Sequence, residues 1–330
     1  GARRAHNMDA AVYGARASYI GGAAGTATVL AGQMFGIPVS GTMAHSWVMY
    51  YKDEYEAFRH YAENYPDNTV LLVDTYDTIK SGIPNAIRVA REVLEPMGKR
   101  LKGIRIDSGD LAYQSIKVRK MLDDAGLTDC KIIVSNSLDE HTISSLNMQK
   151  ARIDGYGVGE RLITGASSDY SEDSISLLGA VYKIAAVEEN GGFAPRIKVS
   201  GSVEKITNPG LKKVYRVYDQ NGKAKADLIA KADETIDMSQ EFRFVDPDMP
   251  WRNLKFTHCT VRPLQEKIFE NGKLVYKLPT LNEIRAYVRK QLDEEIWEEE
   301  QRFVNPHKHY MDMTPDYYDM KMSLLNDSRA

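Results

Sequence analysis

The sequence predicts an α/β fold for its first half and a β-rich module for its second. Three observations carry that expectation. Short β-branched runs alternate with stretches of helical periodicity. Each run ends in polar or glycine-rich residues. Near Val187 the helical periodicity gives way to short alternating segments separated by Asn-Gly and Pro-Gly turns.

The β-branched runs are Ile37-Pro38-Val39-Ser40, Thr69 to Val73, Gly103 to Ile106 and Lys131 to Val134, with a weaker fifth from Ile153 to Val158. Helical periodicity covers Asp53 to Tyr65, Ile83 to Gly98 and Tyr113 to Ala125. The repeat, roughly 20–35 residues, is the length of a βα unit. The runs lead in turn into Gly41-Thr42-Met43-Ala44-His45-Ser46, Asp74-Thr75-Tyr76-Asp77, Asp107-Ser108-Gly109-Asp110, Ser135-Asn136-Ser137 and Gly157-Val158-Gly159. In a closed βα barrel those ends gather on one face, where such folds build their sites. An open doubly wound sheet gathers its loops similarly at a switch point. The pattern therefore predicts an α/β enzyme and leaves closure open.

We expect an α/β domain over residues 1–186 and a β-rich module over 187–330. In the second, Lys213 to Tyr218, the turn Asp219-Gln220-Asn221-Gly222 and the residues from Lys223 form a hairpin, and Glu270-Asn271-Gly272-Lys273 turns another. Leu281 to Phe303 reads as a helix with an apolar stripe of Ile284, Val288, Leu292, Ile296 and Trp297.

A chain of 330 residues that is 43% hydrophobic can bury a full core. A net charge of −3 provides no bulk attraction for nucleic acid. Cys130 and Cys259 lie far apart, outside any metal-ligand spacing, and read as ordinary thiols. No apolar run is long enough to span a membrane and no signal-peptide pattern opens the chain, so a cytoplasmic protein is expected. The start, Gly1-Ala2-Arg3-Arg4, reads as a chain entered in mid-domain.

Individual residues admit two readings each. His45, just past a strand, is a base, ligand or phosphoryl acceptor, or a hydrogen-bonded structural imidazole. Asp74 either orients it or caps a helix. Arg105 and Asp107, two apart on a strand, point the same way. They form either a working charge pair or a structural one, and Ser108 and Gly109 then offer backbone N–H groups to an anion. Gly157-Val158-Gly159 lets backbone approach a phosphate, and Gly21 to Ala27 suits either ligand contact or close helix packing. His307 and His309 diverge on a helix and read as surface residues, and the acidic run Asp293 to Glu300 as a solvated face.

Together the segments resemble the nicotinate phosphoribosyltransferase family. The matching runs are Gly-Ala-Arg-Arg (1–4), Gly-Thr-Met-Ala-His-Ser (41–46), Leu-Val-Asp-Thr-Tyr-Asp (72–77), Arg-Ile-Asp-Ser-Gly-Asp-Leu (105–111), Gly-Val-Gly-Glu-Arg-Leu-Ile-Thr (157–164), Gly-Ala-Val-Tyr-Lys (179–183) and Lys-Ile-Thr-Asn-Pro-Gly (205–210). The resemblance implies an irregular βα barrel beside a smaller sandwich-type domain that draws strands from both ends of the chain. It also implies an N-terminal portion, roughly a domain's worth, before Gly1, present elsewhere or as a separate chain.

The resemblance further implies transfer of phosphoribosyl from phosphoribosyl diphosphate to nicotinate, coupled to ATP through a phosphohistidine and assisted by Mg2+, in NAD salvage. His45 matches the phosphorylated histidine, Asp74 its orienting partner and Asp107 the carboxylate at the ribose. Arg3 and Arg105 match positions flanking the base, with Thr26 and Ala27 nearby. Ser108, Ser135, Asn136, Gly157 and Gly159 match substrate and phosphate contacts, and Lys183 a phosphate contact reaching in from the other subunit of a homodimer. The metal ligands are not specified. The alternatives are a nicotinamide phosphoribosyltransferase and a non-catalytic binding fragment of the same fold. Ala180, where the family has glycine, is a minor departure.

Overall fold

The computed structural model describes residues 2–166, 181–201, 205–237, 241–251 and 253–327. The chain forms two compact units, 1–178 and 179–330.

The first unit is built on four parallel strands, β1 (Val70–Leu72), β2 (Gly103–Ile106), β3 (Lys131–Ser135) and β4 (Gly155–Gly157), hydrogen-bonded in chain order. Sequential order without a reversal is the order of a barrel sector, and a doubly wound sheet would contain a switch point. Crossovers of one hand then place the intervening helices on a single face. Burial follows that rule. Leu71, Val73, Ile104, Ile106, Ile132 and Val134 point to the helix face and are buried in one core with Phe58, Ile83, Val118 and Leu122. The opposite face carries Val70, Arg105, Ile133 and Gly155, all partly exposed.

The helices of this unit are α1 (Met8–Ile20), α2 (Val29–Phe35), α3 (His45–Tyr50), α4 (Glu54–Asn64), α5 (Ile83–Val89), α6 (Leu111–Asp124), α7 (Glu140–Met148) and α8 (Glu160–Thr164). Side chains set several of their starts. Asp53, Asp110 and Asp139 each accept a backbone N–H of the first turn of α4, α6 and α7. Among the described residues the Ile37 to Ser40 run makes only one bridge, Val39 with Thr26.

The helix expected from Ile83 begins earlier. Asp77 accepts from Ile79 and Lys80, and π-type turns cover Thr78–Gly82 before α5 and Ala90–Leu94 after it. Pro84 has no N–H to give, and the wide turn precedes it. Gly82 is required here, because a Cβ on it would stand 1.9 Å from the Val73 carbonyl oxygen.

The second unit holds the hairpin β5 (Ala186–Glu189) and β6 (Gly192–Pro195) and a six-stranded sheet. The sheet contains β7 (Lys212–Tyr218), β8 (Ala224–Lys231), β9 (Phe242–Val245), β10 (Asn253–Phe256) and β11 (Thr260–Pro263). A small hairpin, β12 (Phe269–Glu270) with β13 (Lys273–Leu274), is separate. The sheet is completed by β14 (Tyr310–Met313), which enters between β8 and β9, parallel to the first and antiparallel to the second. Both predicted hairpins are present. Alternation along β8 sends Ala226, Leu228 and Ala230 to a core with Val217, Phe244 and Phe256. It sends Ile229 the other way, to Met313 and Tyr317. Tyr317 belongs to the terminal helix α10 (Pro315–Asp327) and donates its hydroxyl to the Pro209 carbonyl at 2.6 Å.

Two local expectations differ from the structure. The Leu281 helix, α9 (Leu281–Lys290), opens with a Thr280–Glu283 capping box and continues only through a π-type turn to Glu295. Ile296 is extended, and Trp297 leaves the helix to donate its indole N–H to the Ala224 carbonyl at 2.7 Å. His309 is not a surface residue. It is half-buried, with Nδ1 3.0 Å from Glu300 and Nε2 3.5 Å from Asp227, which Arg216 holds bidentately at 2.8 and 3.0 Å. The thiols of Cys130 and Cys259 are free and buried, and burial pushes Cys130 up to about 12.

Candidate active site

The register of the parallel sheet assembles the site. Leu72 pairs with Arg105, Arg105 with Ile133 and Ser135 with Gly157. Two residues further along each strand, Asp74, Asp107, Ser135 and Gly157 fall into one row across the C-terminal strand ends, on the face away from the helices.

Asp74 joins two halves of this row. Its side chain is 2% exposed. One oxygen lies 3.1 Å from Nε2 of His45, the first residue of α3. The other accepts the Asp107 backbone N–H at 2.9 Å and the Ser108 hydroxyl at 2.6 Å. His45 itself remains 38% exposed, and its second ring nitrogen makes no hydrogen bond among the described residues.

Arg105 forms the second focus. Its Nε donates to the Ser135 hydroxyl at 2.8 Å, Nη1 to the Thr42 hydroxyl at 2.9 Å and Nη2 to Asp107 at 3.0 Å. Ser135 in turn donates to the same Asp107 oxygen. A guanidinium has five N–H bonds in a fixed plane. Three are used, which leaves two without an acceptor among the described residues. Arg105 and Asp107 are each one quarter exposed, so the pair is open to solvent on one side. The second oxygen of Asp107 accepts no hydrogen bond among the described residues.

The surrounding loops are held from below. Gly109, at φ +77°, turns the chain after Ser108, and the amide of Gln114 donates to the Ser108 carbonyl at 2.8 Å. After β3, Asn136 and Ser137 adopt φ of +95° and +48°. Asparagine tolerates that region and serine pays for it, a form of strain found at functional loops. Asp139, buried at the start of α7, meets Arg161 of α8 at 3.5 Å. Glu160 beside it meets Arg4 at 3.5 Å.

The structure thus brings His45, Asp74, Arg105, Asp107, Ser108 and Ser135 into one hydrogen-bonded network, with Gly157 adjacent in the row. Gly159 caps α8 and Asn136 follows Ser135. Thr26 forms an isolated parallel bridge with Val39, with its N–H on the Pro38 carbonyl at 2.9 Å, and Ala27 beside it is exposed. Arg3 is exposed on a 3-10 turn, Ala2–Arg4, and is not part of the network. Lys183 belongs to the second unit and donates to the Lys205 carbonyl at 3.4 Å. Sequence reasoning passed over Thr42 and Gln114. Thr42 stands inside the histidine-bearing run, and that position was the available signal.

Among the described residues no group of three or more His, Cys, Asp or Glu could hold a metal ion, and no helix is long and apolar enough to cross a membrane.

The model of the Nicotinate phosphoribosyltransferase (NAPRTase) family matches residues 1–237, and that of the Nicotinate phosphoribosyltransferase C-terminal domain matches 211–321. The chain is 47% identical over 333 residues to a nicotinate phosphoribosyltransferase of Bacillus subtilis, covering 100% of this chain and 65% of that protein. It is 34% identical over 381 residues to one of Dictyostelium discoideum, covering 99% and 62%. The crystal structure of human nicotinic acid phosphoribosyltransferase superposes with a TM-score of 0.77 at 27% identity, over 100% of this chain and 70% of that one. The chain therefore spans somewhat under two thirds of the length of these curated relatives.

Proposed function

The chain belongs to the nicotinate phosphoribosyltransferase family, and from that premise we propose that the protein transfers phosphoribosyl from phosphoribosyl diphosphate to nicotinate. The products are nicotinate mononucleotide and diphosphate, and ATP hydrolysis is coupled through phosphorylation of His45. The observation that carries this reading is the buried Asp74 carboxylate, which holds His45 with one oxygen and the Asp107–Ser108 loop with the other. A phosphoryl acceptor and an anionic transfer site are thereby joined through one side chain.

With Nε2 of His45 held by Asp74, Nδ1 is the nitrogen free to attack the γ-phosphorus of ATP. The N–P bond forms as the bond to ADP breaks, and Asp74 stabilises the imidazolium that develops. The two remaining N–H groups of Arg105 receive the nicotinate carboxylate as a charge-assisted pair. Departure of diphosphate from C1 builds positive charge on the ribose. Asp107, with one oxygen outside the hydrogen-bond network, opposes that charge while the pyridine nitrogen forms the new bond to C1. Ser135, Asn136, Gly157 and Gly159 border the phosphate, and Lys183 serves it from the second subunit of a homodimer.

Mg2+ neutralises the leaving diphosphate when bound. The donor set fits this role, because a hydrated Mg2+ travels on phosphates with one or two carboxylates and needs no cage of three protein ligands. Asp107 is the carboxylate of this site that would hold it, through the hydration shell of the ion.

Nicotinate is preferred to nicotinamide because Ala27 offers no acid near the base, leaving Arg105, together with Arg3, unopposed for a carboxylate. The enzyme works in the cytoplasm. The deciding experiment is His45→Ala in the natural protein. ATP hydrolysis is lost, and slow, ATP-independent synthesis of the mononucleotide remains. ATPase activity that survives the change overturns the assignment.

A further inference from the structure

The loop between β2 and α6 is gripped from two sides. Asp74 takes the Asp107 N–H at 2.9 Å and the Ser108 hydroxyl at 2.6 Å. Gln114, in the first turn of α6, reaches back six residues and donates its amide to the Ser108 carbonyl at 2.8 Å. That carbonyl belongs to the peptide linking Ser108 to Gly109, and Gly109 stands at φ +77°. Glycine visits positive and negative φ about equally, and turns of types I and II differ by rotation of such a central peptide. Asp74 does not restrain that rotation, because its contacts are to the Asp107 N–H and the Ser108 side chain. Among the described residues Gln114 is the side chain that does.

The orientation of this peptide decides what the loop offers. A trans peptide is planar and points its N–H opposite to its C=O. With the Ser108 carbonyl turned to Gln114, the Gly109 N–H is turned away from it and meets no acceptor among the described residues. Rotated by half a turn, the same peptide would present a carbonyl there. For the helix alone the amide of Gln114 is a disadvantage. Its other atom, Oε1, is buried without a hydrogen-bond partner, a costly state that a leucine would avoid. Gly109 leaves room for the amide, since a Cβ at that position would collide with the Gln114 amide nitrogen.

We infer that Gln114 is a positioning residue: it holds the Ser108–Gly109 peptide with its N–H free for an oxygen of phosphoribosyl diphosphate, beside the Asp107 carboxylate. The inference rests on the function proposed above. Without the Gln114 donor the peptide rotates, the N–H is withdrawn and a carbonyl oxygen opposes the negatively charged substrate. Arg105 and the His45–Asp74 pair keep their contacts, so nicotinate and ATP are handled as before.

The test compares the natural protein with two variants. Gln114→Leu removes the donor and the orphaned acceptor together, and Gln114→Glu keeps the shape but turns a carboxylate to the Ser108 carbonyl. In Gln114→Leu the KM for phosphoribosyl diphosphate rises about tenfold, the loss expected for one hydrogen bond to a charged group. The KM for nicotinate and the formation of phosphoryl-enzyme from ATP stay within about twofold, and the thermal midpoint does not fall, a combination that a merely structural residue would not give. Gln114→Glu is impaired at least as severely near neutral pH. Protonation gives its carboxyl an O–H to donate, and burial raises the pH at which that happens. The ratio of its KM for phosphoribosyl diphosphate to that of the unaltered enzyme therefore falls at least about threefold between about pH 8 and about pH 5. A Gln114→Leu protein whose KM for phosphoribosyl diphosphate stays within about twofold, or in which all three substrates are affected alike, overturns the inference. If Gln114→Leu does not fold, the Gln114→Glu ratio decides, and a ratio that does not change with pH overturns the inference. An unaltered enzyme that makes no mononucleotide from nicotinate is a different result, and it overturns the proposed function itself.

Discussion

Asp74→Asn isolates the charge at the junction of the site. The substitution preserves shape, and the side chain it alters is 2% exposed, so no water compensates. The asparagine carbonyl can still accept from the Asp107 N–H and the Ser108 hydroxyl, which lie 2.9 and 2.6 Å from the present oxygen. Its amide then faces Nε2 of His45, now 3.1 Å from a carboxylate oxygen. Two donors cannot share that contact, so the imidazole must present a lone pair at Nε2 and carry its proton at Nδ1. That is the wrong tautomer for attack through Nδ1. Loss of a charge-assisted hydrogen bond alone costs about 1.5–3 kcal/mol, roughly ten- to a hundredfold in rate. An inverted tautomer in a comparable Asp-His arrangement costs on the order of ten-thousandfold. ATP hydrolysis by Asp74→Asn should therefore fall at least about a hundredfold at neutral pH, while ATP-independent synthesis, which uses Arg105 and Asp107, falls less than about tenfold. The assay pairs phosphate release with capture of acid-labile phosphoryl-enzyme from labelled ATP. Phosphoryl-enzyme formation within threefold of the unaltered protein refutes the reasoning.

The second unit should respond to pH through His309. The carboxylates of Asp227 and Glu300 raise its pKa against the opposing effect of burial, so the charged imidazole contributes stability that is complete below its unfolded value near 6.5 and lost as pH rises through the higher folded value. Thermal midpoints should accordingly decline as pH rises above about 6.5, and a His309→Gln variant that declines as steeply would show that another group is responsible. Gly82→Ala places a Cβ 1.9 Å from the Val73 carbonyl oxygen, one residue before Asp74. Overpacking against backbone should cost about 1–3 kcal/mol and lower the thermal midpoint by several degrees, and calorimetry showing an unchanged midpoint would mean that the helix and strand are less tightly apposed.

The strand ends were legible because polar residues interrupt β-branched runs, a contrast that local sequence carries. Their arrangement was not. Asp74, Asp107, Ser135 and Gly157 share a row only because the strands pair in chain order and in one register, and register depends on pairing partners that no single run specifies. His45 and Asp74 were readable as a candidate pair, whereas the second oxygen of Asp74 on the Asp107–Ser108 loop was not. Thr42 was hidden for a related reason, since its partner lies 63 residues away. His309 was misjudged because its partners, Asp227 and Glu300, come from a strand and a loop that local spacing does not connect. The helix after Leu281 was overextended because the apolar stripe continues through Ile296 and Trp297, whereas Ile296 is extended and the Trp297 indole donates to Ala224 at the start of β8.

Base selection tests the central claim most directly. The measurement is kcat/KM for nicotinate and for nicotinamide, with phosphoribosyl diphosphate and ATP, on the natural protein and on Ala27→Asp. The account predicts that the unaltered protein favours nicotinate by roughly a hundredfold or more, the discrimination expected when a carboxylate meets an unopposed arginine. It also predicts that Ala27→Asp narrows or reverses that preference. An unaltered protein that prefers nicotinamide, or that forms a mononucleotide from neither base, contradicts it.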